Sequence, residues 1–273
     1  MGELRAALAI ARKDMRNFSR YKWSMFATVF IPLYQGVIPA FLFGAAFAVG
    51  GRVIGLESAI GTDNLSGFIF MGGVIAGLVA TTFWAMAMSL RWEMDLGTLE
   101  PTWLTPTRHD TILMGRAIFG VAQFIIGQVI LFAVGIAFFG LHFSLNVVYA
   151  IPALLVAVVG MLGVAYLLAG IVLVIREANF FIDCTNFLYG IASGVSFPIT
   201  FLPLVLQPLA LLLPTTYAMD LLRQHALGAR PLFDPALEYV GLIATTLLVF
   251  PVGRWAFARA ERAMRVRGTL GQY

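Results

Sequence analysis

A chain of 273 residues that is 60% hydrophobic, 12% charged and of mean hydropathy +0.89 lies far from the soluble norm of about 45–50% apolar and about 25% charged. It reads as an integral membrane protein, and its net charge of +4, carried beside apolar runs, points to membrane orientation and away from nucleic acid. A single cysteine, Cys184, excludes an internal disulfide and a thiolate metal site. Lysines at positions 13 and 22 alone exclude a G-x-x-x-x-G-K-[ST] phosphate loop, and His109, His142 and His225 are too scattered for a metal motif. No metal or cofactor is expected on this chain.

The first predicted element is Glu3–Lys22. Leu4, Leu8, Ala11, Met15 and Phe18 recur at helical spacing on one face, while Arg5, Arg12, Lys13, Arg16 and Arg20 gather on another. Such a helix suits the bilayer interface, its cations toward anionic headgroups. A basic start before an apolar run also resembles a secretory signal, with Ala46-Phe47-Ala48 as a cleavage-like site. The run from Trp23 to Gly50, however, far exceeds the ~7–15 residues of such a signal.

A helix needs about 20 apolar residues to cross about 30 Å of hydrocarbon. Six segments reach that length: roughly 24–49, 66–90, 111–140, 147–175, 180–206 (counting the apolar continuation beyond Ser196) and 236–257. Pro32 and Pro39 should kink the first. Gly72, Gly73, Gly77, Gly160 and Gly163 allow close helix packing. Gln35, Gln123, Gln128, Asp183 and Asn186 lie in or near spans. Two readings stay open for them: hydrogen bonds between helices, or the lining of a substrate path.

Between the second and third spans runs Arg91–Asp110, RWEMDLGTLEPTWLTPTRHD, with seven ionisable residues in twenty. It belongs in water and is longer than a connector requires. Gly97 breaks the preceding helix, and Thr98 is placed to cap another, with Pro101 in its first turn. Leu99 and Trp103 share one face of that short helix. Thr105-Pro106 ends it, and Thr107-x-x-Asp110 reads as a capping box for the third span. These features alone fit either a solvated loop with a helical kink or a surface in its own right.

Phe197–Pro235 is apolar as far as Tyr217, yet Pro198, Pro203, Pro208 and Pro214 forbid one continuous helix. A helix is expected from Thr215 or Thr216 to Leu227, ending at Gly228. Apolar but broken, the segment is expected to dip into the outer leaflet and return, an extra irregular span being the alternative. Fourteen Lys and Arg fall in the N-terminal helix, the Arg91–Asp110 connector, the turn at Arg176 and the tail from Arg254; Arg52, Arg223 and Arg230 face them, with Arg116 just inside the third span. The positive-inside rule then places both termini and the connector in the cytoplasm, the chain forming one domain over residues 1–273.

Three places carry a family likeness: Glu93 with Gly97-Thr98-Leu99-Glu100 and Thr105-Pro106; Ser193-Gly194, Phe197-Pro198, Leu202-Pro203 and Pro214-Thr215-Thr216-Tyr217-Ala218-Met219-Asp220-Leu221-Leu222-Arg223; and Arg267-Gly268-Thr269-Leu270. In their order and spacing the sequence resembles the membrane subunits of type-2 ABC exporters, which move drugs, lipids and lipid-linked glycans. The resemblance implies an all-α integral membrane fold of six spans in the plasma (inner) membrane. It makes Glu3–Lys22, with Arg12, Lys13 and Arg16, the elbow helix and Thr98–Leu104 the coupling helix. Phe197–Leu227, with Pro198, Pro203, Pro214, Tyr217 and Arg223, becomes the re-entrant external element. It also implies a homo- or heterodimer of permeases served by two ATPase subunits, which bind the ATP and Mg. Pro101 departs from the pattern and shortens the coupling helix.

With no nucleotide site of its own, the chain needs a motor in trans. The connector is expected to meet it through Glu93, Gly97, Thr98, Leu99, Glu100 and Trp103, with Leu99 and Trp103 as apolar anchors and Glu93 transmitting force. Two rivals belong to other classes. An ion-driven secondary transporter needs an ionisable residue in mid-span, and Asp183, the acid nearest a span's interior, lies close to the cytoplasmic end. An intramembrane enzyme needs a convergent acid, base or metal set, which the scattered histidines do not offer.

Overall fold

The computed structural model describes residues 2–32, 61–175 and 178–267, with positions 38, 42, 46, 48–49 and 52–53. The first predicted span is thus seen only in part, as α2 (Lys22–Pro32), and Gln35, Arg176 and the Gly268–Leu270 motif lie outside the described residues. Two-residue strands Ala48–Val49 (β1) and Arg52–Val53 (β2) pair antiparallel. All other regular structure among the described residues is helical.

Four helices there are long and apolar enough to cross a membrane: Leu65–Asp95, His109–Phe138, Leu145–Val174 and Pro235–Val266. They correspond to the second, third, fourth and sixth predicted spans. The first of them begins where Asn64 accepts a bond from the Gly67 N–H at 2.7 Å, closing one of the orphan donors of a helix start. It comprises α3 (Leu65–Phe83), a single π-helical turn at Trp84–Met88, and α4 (Ser89–Asp95). Next come α5 (Leu99–Trp103) and α6 (His109–Phe139), then a 3₁₀ turn at Leu145–Ala150 leading into α7 (Ile151–Val174).

The fifth predicted span is not one helix. α8 (Ala178–Ala192) has 15 residues, ~22 Å at 1.5 Å per residue, short of the hydrocarbon thickness. Beyond it Gly194 turns the chain with φ +77°, and the expected continuation to residue 206 is a 3₁₀ turn at Ile199–Phe201 with irregular chain. Pro198 and Pro203 account for the break, since neither can donate to a helical ladder. Two further helices follow, α9 (Gln207–Ala210) and α10 (Pro214–Leu227), the latter stopping at Gly228 with φ +65° as glycine permits. The last is α11 (Pro235–Arg267).

α7 is the axis of the packing. Its most apolar stretch is 61% buried, against 28% for α6 and for α11, and Ala153, Ala157, Met161, Ala165, Tyr166 and Ala169 are wholly enclosed. Alanine and glycine there let α11 approach to backbone contact: a Cβ on Gly253 would collide with the Gly163 carbonyl, and one on Gly170 would lie 3.2 Å from the Phe257 Cα. Pro251 interrupts the hydrogen-bond ladder of α11 within this contact, where Gly163 lies against Val249 and Phe250. The neighbouring helix therefore splints the break.

α1 (Gly2–Arg20) lies along α6, with Ala7 and Ala11 buried and the Phe18 ring edge-on to Phe119 at 5.9 Å. A Cβ on Gly115 would meet the Ala7 carbonyl oxygen at 2.8 Å, so glycine sets this approach. The helix has three faces where sequence periodicity suggested two. Leu4 and Leu8 (65% and 50% exposed) form an apolar flank beside the packed face, and Arg12, Lys13 and Arg16 are exposed beyond it.

Candidate functional site

α4, α5 and the start of α6 form a compact corner at one end of the bundle. Gly97, with φ +67°, closes α4 by donating to the Met94 carbonyl (3.0 Å), while the Thr98 N–H donates to that of Glu93 (2.8 Å). This paired pattern terminates a helix at glycine. It also displaces the expected cap: the Thr98 side chain makes no capping bond to α5 and turns back toward the Glu93 carbonyl. Nor does Thr107 cap α6, which begins after an extended Arg108; Asp110 is engaged elsewhere.

The apolar anchors point inward. Leu99 (2% exposed) and Trp103 (8%) belong to the main hydrophobic core, and the Trp103 indole stacks on His109 with centroids 4.3 Å apart. The corner thus offers other residues outward: Glu100 on the short helix, and Leu96 (75% exposed), Gly97, Thr98 and Leu104 (79%) on either side of it. Helical spacing placed Leu99 and Trp103 on one face correctly, but the bundle takes that face.

Charged contacts hold the corner to the spans. Glu93 pairs with the buried Arg116 of α6, whose other Nη donates to Ser89 Oγ at 2.8 Å. Asp110 accepts from Tyr166 Oη of α7 (2.8 Å) and from Arg254 Nη2 of α11 (2.6 Å). The buried His109 places Nδ1 2.7 Å from Glu261 Oε1 of α11 and Nε2 3.2 Å from the Trp103 carbonyl. Its Nδ1 also lies 2.8 Å from Arg265 Nη2. Arg265 Nη2 lies 2.7 Å from the same Glu261 oxygen. Between these groups opens a cleft of about 450 Å³, lined among others by Trp103, Arg108, His109, Arg254 and Glu261. Glu3 of α1 accepts from Thr111, which ties the N-terminal helix to the same corner.

The profile of the ABC-2 type transporter family matches residues 5–227. The chain belongs to that family. No curated protein matches it. The protein is accordingly an ABC-2 permease, a multi-pass and non-catalytic transmembrane subunit. ABC-2 permeases work with ATPase subunits and typically hold no cofactor themselves.

Other predicted residues of the permease are dispersed. Gln123 donates to Thr28 of α2 at 3.0 Å, a bond between helices. Gln128 presses its amide toward Gly77 on α3, its Oε1 buried without a partner. Asn186 is half-buried on α8 and Asp183 is exposed there.

At the far end of the bundle, Arg223 is only 4% exposed and does not project as a surface cation. Its guanidinium sits 3.4 Å over the Phe68 ring and donates to the carbonyls of Gly194 (2.7 Å) and Val195 (2.9 Å). Tyr217 Oη donates to the Leu211 carbonyl at 2.9 Å. Pro214 opens α10 and packs on Gly160, while Pro198 and Pro203 flank the 3₁₀ turn.

Two groups of residues escaped the sequence reading. Glu238, fully buried at the start of α11, is an interior acid, unlike the exposed Asp183; it accepts from Gln224 Nε2 (2.6 Å) and the Phe233 N–H (2.9 Å). Glu261, Arg254 and Arg265 lay in what read as a basic tail. One signal was present: Glu261 is the single acid there, four residues before Arg265.

Proposed function

We propose that this permease is the membrane subunit of an ATP-driven exporter, coupled to its ATPase through the Arg91–Asp110 corner. The observation that carries the reading is that corner: a short helix seated on the spans by Leu99, Trp103 and His109, with Leu96, Glu100 and Leu104 left outward. A load applied to α5 would reach the second span through Glu93 and the third through Arg116. In this reading six spans cross the plasma (inner) membrane, both termini and the corner are cytoplasmic, and α1 is the elbow helix. Two permeases pair around the substrate path, and two ATPase subunits bind the ATP and Mg. The broken 197–227 segment is a re-entrant outer gate, and the substrate is a hydrophobic drug, lipid or lipid-linked glycan. ATP must favour one arrangement of the permease over the other for transport to follow.

The inward turn of Leu99 and Trp103 reassigns their roles. They position the coupling helix, and Leu96 and Leu104 are the apolar contacts available to the motor. Leu96→Asp/Leu104→Asp should weaken ATPase association by about 2 kcal/mol or more, roughly thirtyfold, in a titration of purified permease with its ATPase. Unchanged affinity would overturn the assignment.

A further inference from the structure

The strongest unassigned arrangement runs from the connector corner to the opposite end of the bundle along a single helix. At one end of α11, Glu261 holds His109, whose ring stacks on Trp103 of α5, while Arg254 of α11 holds Asp110. Some two dozen residues away, ~35 Å at 1.5 Å per residue, Glu238 of the same helix accepts from Gln224 of α10. The Phe233 N–H donates to Glu238, and the Leu232 N–H donates to Asp220 of α10 at 2.8 Å. The Tyr217 ring of α10 is packed so closely on α11 that a Cβ on Gly241 would fall 2.6 Å from it.

We propose that α11 is a push-rod, driven at Glu261 and Arg254 by the coupling helix and delivering its displacement through Glu238 to α10 and the 228–234 strap. The proposal rests on the coupling role assigned above, and it adds a second output. The connector moves the two spans it joins covalently, and through His109 and Asp110 it also moves a span that follows it by more than a hundred residues.

A rod must not buckle. α11 contains Pro251, where a lone helix would bend. At that place it lies backbone to backbone on α7, through Gly163 against Val249, Phe250 and Gly253. α7 is also tied to the corner by Tyr166 to Asp110, and its Gly160, six residues earlier in the same helix, packs on Pro214 of α10. The splint therefore touches the same two neighbours as the rod, through its middle third. His109 and Glu261 are positioning residues: they act through α11.

The test uses the complete permease–ATPase complex in lipid nanodiscs, with Cys184→Ser as background and Ala229→Cys as reporter. Ala229 lies in the strap and is only 8% exposed, so a polar maleimide reacts slowly there unless the strap is displaced. Trapping with ADP and vanadate should change the labelling rate by about fivefold or more. Glu261→Ala should abolish most of that change while the ATPase stays bound and active, and Glu261→Asp, which keeps the carboxylate, should restore part of it. A purely structural role would lower yield and activity together without this split. Should Glu261→Ala fail to fold, His109→Gln carries the same expectation. The proposal is overturned if Glu261→Ala keeps the full nucleotide-dependent change, or if the background protein shows none. Loss of ATPase binding in Glu261→Ala overturns it too, because the clamp would then belong to the docking surface. Failure of the coupling assignment itself shows separately, as unaltered affinity of Leu96→Asp/Leu104→Asp.

Discussion

The two ends of the bundle handle charge in opposite ways. At the connector end two ion pairs are partly open: Arg254 and Arg265 are each about half exposed and their carboxylate partners are 31% and 18% exposed, while Arg116 and Glu93 pair out of water. At the far end, Arg223 and Glu238 are enclosed, and much of what they bond is backbone. A partly solvated ion pair separates at little cost, whereas a buried charge stripped of its partners is expensive. The connector end therefore adds, to its closed Glu93–Arg116 and His109–Glu261 contacts, open ones that can be remade during a cycle, and the far end has contacts that move only as a block.

The comparison breaks first at Arg223. Arg223→Ala would leave the Gly194 and Val195 carbonyls without their donor and open a void over Phe68. A loss of roughly 3 kcal/mol or more is expected, seen as a collapse of monodisperse yield and a lower melting temperature in detergent. Near-normal melting would mean that this end is as forgiving as the other. Gly253→Val comes next. It forces α11 off α7 where Pro251 is splinted, an overpacking cost of about 1–3 kcal/mol measurable in the same melts. The smallest effect is expected from Arg254→Ala. The pair is partly solvated, so a double-mutant cycle with Asp110→Asn should give about 0–1 kcal/mol of coupling. A clearly larger value would show that the connector end is fixed as well.

The legibility of the sequence divides along similar lines. Long apolar stretches announced the second, third, fourth and sixth spans because length and composition alone decide them. Gly97 and Gly228 announced helix ends, since a positive φ favours glycine. Thr98 misled, because the glycine termination of α4 had already claimed it. The orientation of Leu99 and Trp103 was not legible: spacing says which residues share a face, and only the surrounding bundle says where the face turns. His109 and Glu261 are separated by 152 positions, and no local pattern links groups so distant. Glu238 was passed over because a lone acid beside a span end usually faces water, and here α10 and the strap close over it.

The π-helical turn at Trp84–Met88 gives the second span a property that its hydropathy hides. Trp84 and Trp92, eight residues apart, would lie about 80° from each other around a regular helix. Their rings nevertheless meet, with centroids 5.7 Å apart, because the wide turn absorbs one residue and leaves the spacing of a seven-residue, nearly aligned pair. The chain between Leu65 and Glu93 thus carries one residue more than its angular course requires. Shortening the helix by one residue within that turn would leave Glu93 aimed at Arg116 and α5 aimed at the core. A deletion in the regular part of the same helix would swing everything after it by about 100°. The turn acts as a phase adjuster, allowing the length of the span and the bearing of α5 to be altered independently.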